Sequence, residues 1–184
     1  MMKNKAYDLA KYVFHKDEPL LLDANVWLYL YPAPSGKLLW HANSYSNALK
    51  SMLTAGSHLV MDALILSEYI NRYCRIEWKA LHKRSQPDFK LFRKSAAFKS
   101  VGQGAATFTR SILKLCTRYD HLFSTANITQ VLTDFETGAN DINDGLLAET
   151  CRHHGWKLVT NDSDFTTGGI EVLTSHPGLL RACP

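Results

Sequence analysis

Four acids stand beside or inside apolar runs: Asp23 in LLLDANV, Glu68 in LILSEYI, Asp144 in DINDGLLAE and Asp162 in KLVTNDSDF. A carboxylate next to apolar sequence is costly unless it is protonated, paired or bound to a cation, so the pattern points to a divalent-metal site. All four supply oxygen, the donor that hard cations such as Mg²⁺ or Mn²⁺ take. The chemistry on offer is metal-assisted hydrolysis at phosphorus.

Each acid has a plainer role to set against this one. Asp23 follows Leu20, Leu21 and Leu22 at the end of a strand, where it could emerge into a crevice or simply bond the backbone of Asn25 or Val26 in a turn. Asp162 stands equivalently after Leu158, Val159 and Thr160, with Asp164 two residues further in a turn-rich stretch. Asp144 suits the third position of a helix capped by Asp141, yet Leu147, Ala148 and Cys151 follow at i+3, i+4 and i+7, which turns it inward. Glu68 could pair with Arg72 at i+4, a surface arrangement worth about 0.3 to 0.5 kcal/mol.

The elements that must position these acids alternate between strand and helix. Ala6, Leu9, Ala10 and Val13 predict a short N-terminal helix over 6–14 that ends before Pro19. Strands follow at 20–23, 58–61 and 156–160, and helices at 42–53 (stopped by Gly56), 62–78 and 141–154 (closed by Gly155). Pro87 opens a helical segment that the Gly102 and Gly104 pair should break, and a further helix is expected over 105–121. Its basic face would be Arg110, Lys114 and Arg118. Residues 124–140 carry little pattern beyond a short element near 128–132. The alternation predicts a single three-layer α/β/α domain over 1–184, with a mainly parallel central sheet and a basic helical insertion at about 79–125. Binding sites in such sheets lie at the carboxyl ends of strands.

Composition narrows the class. With 46% hydrophobic and 21% charged residues, the chain is globular rather than disordered. No apolar run approaches the roughly 18 residues of a membrane span, and the N-terminus lacks a signal-peptide core, so a cytoplasmic location is expected. Cys74, Cys116, Cys151 and Cys183 show no CxxC spacing and read as buried thiols. The paired His153 and His154 read as a helix end, and no phosphate-cradling glycine loop is present. Charge is segregated: residues 79–125 hold ten lysines and arginines against two acids, while the rest of the chain holds eleven against fifteen. Lys90, Arg93, Lys94, Lys99, Arg110, Lys114 and Arg118 are therefore the candidates to track a phosphate backbone. Phe89, Phe92 and Phe98 could stack on bases but fit better as the core of the basic segment.

Taken together, the motifs resemble the PIN-domain family: an opening Asp with a small polar residue two positions on (Asp23, Asn25), a helical Glu (Glu68), a third acid at a helix start (Asp144 in NDGLLAET) and a closing LVTNDSDF with Asp162. The resemblance covers roughly 20–77 and 140–173. It implies a PIN-like fold and a Mg²⁺- or Mn²⁺-dependent endoribonuclease, either the VapC-like toxin of a toxin–antitoxin pair or an RNA-processing or DNA-repair nuclease. Asp23, Glu68, Asp144 and Asp162 would be catalytic. Asp23, Asp144 and Asp162 would hold the metal, with Glu68, Asp141 and Asp164 as further candidates, while Asn25, Thr160 and Asn161 would orient the carboxylates or phosphate. Partners implied are RNA, a cognate antitoxin and a second copy of the chain. A non-catalytic nucleic-acid-binding protein is the alternative of a different class.

Overall fold

A computed structural model describes residues 2–37, 41–138 and 140–183. Six strands form one sheet in which every pairing is parallel: β1 (Lys5–Asp8), β2 (Pro19–Leu22), β3 (His58–Asp62), β4 (Thr117–Tyr119), β5 (Lys157–Val159) and β6 (Glu171–Thr174), in the order β1-β6-β5-β2-β3-β4. The central strands are near-continuous apolar runs, as burial on both faces requires. Leu20, Leu21, Leu22, Val60, Leu158, Val159, Val172 and Leu173 are essentially without exposure.

Helices fill the connections: α1 (Ala24–Leu30), α2 (Ala42–Ala55), α3 (Ala63–Glu77), α4 (Phe89–Arg93), α5 (Phe98–Leu113), α6 (Ile128–Glu136), α7 (Ile142–His154) and α8 (Pro177–Ala182). Their boundaries follow local chemistry. α2 ends at Gly56 and α7 at Gly155, both left-handed with φ of 74° and 67°, which glycine adopts without steric cost. α3 and α7 begin at Asp62 and Asp141, whose side chains accept from Leu64 N and Asp144 N. α3 runs on into a π-helical turn, Trp78–His82.

Register decides what stands beside the acids. Leu20, Leu21 and Leu22 of β2 face Lys157, Leu158 and Val159 of β5, so Asp23 and Thr160 leave the sheet at the same level. On the other side Leu21 faces Val60, which places Asp62 and the start of α3 at that same end.

Several expectations need correction. Residues 5–8 are not helical but form an edge strand: they pair with β6, and the Tyr7 hydroxyl donates to Glu171 at 2.6 Å. Long-range pairing overrides a helical spacing whose last member, Val13, is 70% exposed. The glycine pair does not break the helix. α5 runs through Gly102 and Gly104, and a Cβ on Gly104 would lie 2.8 Å from the Tyr73 hydroxyl, so glycine here lets α5 approach α3. The same helix stops at Leu113 rather than continuing to His121. Arg118 consequently sits on β4, an edge strand paired with β3, apart from the helical row of Arg110 and Lys114. The basic segment is thus not a purely helical insertion but contributes a strand to the sheet. Residues 128–136 form a full helix, and α8 completes the chain beyond the resembling region.

All four cysteines are free thiols, three of them buried. Among the described residues no helix is long and apolar enough to cross a membrane. Exchanging Gly104 for alanine would ordinarily stabilise a helix interior; here the overlap with Tyr73, a residue 2% exposed and packed between Tyr69 and Phe108, should reverse the sign. Gly104→Ala is expected to lower unfolding free energy by about 1 to 3 kcal/mol in urea titrations, and a stabilised variant would refute the close approach.

Candidate active site

The level exit of β2 and β5 builds the centre of the site. Thr160, with no exposed surface, donates its hydroxyl to Asp23 Oδ2 at 2.6 Å and accepts from the Asn25 amide at 3.2 Å and from Asp162 N at 3.0 Å. Asn25 Nδ2 also donates to Asp23 Oδ2, at 2.5 Å, and Asn25 Oδ1 accepts from Asn161 N at 3.2 Å. One hydroxyl and one amide therefore tie the acid after β2 to the loop after β5. Asp162 Oδ1 accepts from Asp164 N at 3.0 Å, which folds the NDSD segment into a turn.

Helices bring the other two acids to the same end. Asp144 lies in the first turn of α7, half-buried, and Glu68 lies in the second turn of α3, where it also pairs with Arg72 at 2.9 Å. Besides this ion pair, its charge raises the proton affinity of Asp23 and of Asp144. Burial pushes the Asp23 carboxyl up to about 6, with repulsion from Glu68 and Asp162 adding to it and the Thr160 hydrogen bond opposing. Asp144 is pushed to about 8, first by burial and then by repulsion from Asp141, Asp23, Asp162 and Glu68. The four acids share one electrostatic neighbourhood.

Asp141 is exposed and spends its side chain capping α7; with Asp144, Asp164 and Ser163 it lines a shallow depression on the flank of the acids. Among the described residues, no group of three or more His, Cys, Asp or Glu side chains stands ready to hold a metal ion. Like-charged carboxylates hold apart without a cation between them, while Mg²⁺ keeps several waters and needs only one or two direct carboxylates. The all-oxygen donor set fits a hard divalent ion.

The seven cations expected to grip a polyanion, Lys90, Arg93, Lys94, Lys99, Arg110, Lys114 and Arg118, are all exposed. Lys99 and Arg110 border a groove of about 720 Å³ along α5. Phe92 is fully buried and packs edge-on against Phe98 at 5.6 Å, as befits a core residue. Sequence reasoning missed the residues that brace the site from behind. Tyr45 of α2, 1% exposed, donates toward the Thr160 carbonyl at 2.9 Å and Asn161 Oδ1 at 3.0 Å, and accepts from Ser175 N at 3.2 Å. Asp62 accepts from His121 Nδ1 at 2.8 Å, joining the start of α3 to the chain beyond β4. Neither carried a local signal, because both contacts span more than fifty residues.

The PIN domain profile matches residues 20–169, from β2 to the glycine turn before β6. The chain belongs to the PIN-domain family, whose members are generally nucleases that use divalent metal ions. Among solved structures, a chain of VapBC2 from Rickettsia felis, in a complex bound to a DNA fragment from their promoter, superposes with a TM-score of 0.54 at 15% identity, over 84% of this chain and 98% of that one. No curated protein matches.

The raised proton affinities set a pH dependence for the metal-free protein. Asp23 and Asp144 bind protons more tightly folded than unfolded, so their stabilising contribution is complete below about pH 4 and is lost as pH rises through about 6 and then about 8. Melting temperatures in EDTA should therefore fall between about pH 5 and pH 9, and Asp144→Asn should flatten the upper part of that fall. A variant that keeps the full slope would show that Asp144 is not in the acidic neighbourhood.

Proposed function

We propose that the protein is a Mg²⁺- or Mn²⁺-dependent endoribonuclease and the toxin of a toxin–antitoxin pair. The observation that carries the hydrolytic part is the convergence at one end of the sheet of Asp23, Glu68, Asp144 and Asp162, with Glu68 and Asp162 close enough to raise the proton affinity of both Asp23 and Asp144. Such a cluster is unfavourable for folding and is explained by a cation that replaces the bound protons. The similarity in fold to a VapBC2 chain supports the antitoxin partner, and the segregated basic segment supports a polyanionic substrate.

Asp23, Asp144 and Asp162 would hold the principal ion. Bound there, a divalent ion supplies an activated water and charge neutralisation at the scissile phosphate. The chain's own residues do the rest. Thr160 and Asn25 fix the Asp23 carboxylate by two hydrogen bonds on one oxygen, which sets its direction before substrate arrives. Glu68, half-buried and paired with Arg72, would orient the attacking water and accept its proton. Asn161, whose backbone and side chain are pinned by Asn25 and Tyr45, offers an amide to phosphate oxygens.

Incubation of the protein with structured RNA and Mn²⁺ should yield cleavage that EDTA abolishes. Asp23→Asn and Asp162→Asn should each reduce the rate at least about 100-fold, on the scale of losing an electrostatic group from the reacting centre. Cleavage that persists equally in both variants would sink the assignment. Co-expression with a neighbouring small DNA-binding protein should relieve growth inhibition if the toxin role holds.

A further inference from the structure

Beside the acids, α1, α3 and the loop between Tyr31 and Lys37 enclose a cleft of about 240 Å³. Its wall is largely apolar, from Leu28, Tyr29 and Ile76, and its polar lining is Asn25, Lys37 and Arg72. Two of these touch the acids directly: the Asn25 amide bonds Asp23, and the Arg72 guanidinium bonds Glu68. The cleft therefore joins the acidic centre from both helices. Among the described residues no Asp or Glu lines it, whereas Lys37 and Arg72 do. An anionic chain passing over the acids would find compensating charge here, where Arg72 already contacts Glu68.

The cleft is built, not incidental. Glu77, 6% exposed, accepts from Ser35 N at 2.7 Å and Ser35 Oγ at 3.0 Å, which ties the loop after α1 down onto α3. Gly36 lies against this floor so closely that a Cβ would sit 2.9 Å from the Ala33 carbonyl oxygen and 3.6 Å from Ile76 Cγ2. The Tyr29 ring is packed in turn against His41 and Tyr45 at centroid distances of 4.9 and 5.4 Å. A preformed apolar slot with two cations in its lining suits a flat, uncharged ring attached to a charged backbone.

We propose that this cleft is a nucleotide subsite: it receives one unpaired base of a single strand against Tyr29, Leu28 and Ile76, while Arg72 and Lys37 hold the phosphate beside it. The proposal rests on the nuclease reading and assigns its substrate preference to a single strand at the cleavage point, because a paired base cannot enter a slot between two helices. Arg72 is a specificity and binding residue in this scheme. It exchanges part of its contact with Glu68 for phosphate, which leaves Glu68 available to the acidic centre when substrate is bound.

The test uses the full chain in EDTA at low salt and fluorescence anisotropy with labelled single-stranded RNA carrying one abasic residue, moved stepwise along the oligonucleotide. One position should weaken binding roughly tenfold or more, the scale of one stacked base, while other positions leave it unchanged. Ile76→Trp fills the cleft and should erase that position dependence. Arg72→Gln, at an exposed site that does not endanger folding, should lower the slope of log K against log salt by about 0.7, the value for one phosphate contact on a single strand. The same register in single-stranded DNA would support recognition of the base, and loss of the register in DNA would support recognition that includes the sugar. Equal affinity at every abasic position, or no oligonucleotide binding at all, would overturn the subsite. Register-dependent binding without Mn²⁺-dependent cleavage would keep the subsite and remove the hydrolase; cleavage without a register would do the reverse.

Discussion

The hydrogen bond from Thr160 to Asp23 is the contact around which the site is organised. It holds a carboxylate that is 5% exposed, at the end of a buried strand, by a hydroxyl with no exposure at all. Burying a carboxylate is costly unless its oxygens are satisfied, and here the same hydroxyl that satisfies Asp23 also accepts from the backbone of Asp162. The parallel pairing of β2 with β5 makes this possible by bringing both strands to an end at one level. Tyr45 then fixes the Thr160 carbonyl from the far side of the loop. Polar groups are thus satisfied in a chain that runs from α2 through the loop after β5 to the acid after β2.

That organisation places four negative charges in one neighbourhood and leaves their repulsion only partly relieved. Protons, Arg72 and the hydroxyl and amide donors offset some of it. A cation of higher charge would offset more. Keeping these carboxylates together costs the fold stability at this end of the sheet, a cost that concentrated like charge generally carries. Position at the carboxyl ends of parallel strands, where loops diverge, opens the space that a ligand needs.

Much of this was legible in the chain. The runs before Asp23 and Asp162 read correctly as buried strands, and the glycine stops at Gly56 and Gly155 and the Asp141 cap gave helix ends to within a residue or two. The inward placement of Asp144 followed from the spacing of Leu147, Ala148 and Cys151, all buried. Misreadings arose where distant contacts outweigh local pattern. Residues 5–8 form a strand because β6 offers an edge, and Gly104 continues a helix because Tyr73 stands where a Cβ would go. Arg118 belongs to β4 because β3 needs a neighbour, so its spacing from Lys114 carries no helical meaning.

Sequence alone determined which residue types would meet: acids after apolar strands, a Thr-Asn pair beside the last of them, and a separate basic segment. These follow from burial and backbone preferences, which act over a few residues at a time. Only the tertiary structure decided how they meet. The register of β2 against β5, the reach of Tyr45 to Thr160 and the cleft that joins Arg72 to Asn25 depend on pairings between residues far apart in the chain. Such contacts are set by the collective packing of the sheet and its helices, and no short stretch of sequence contains them.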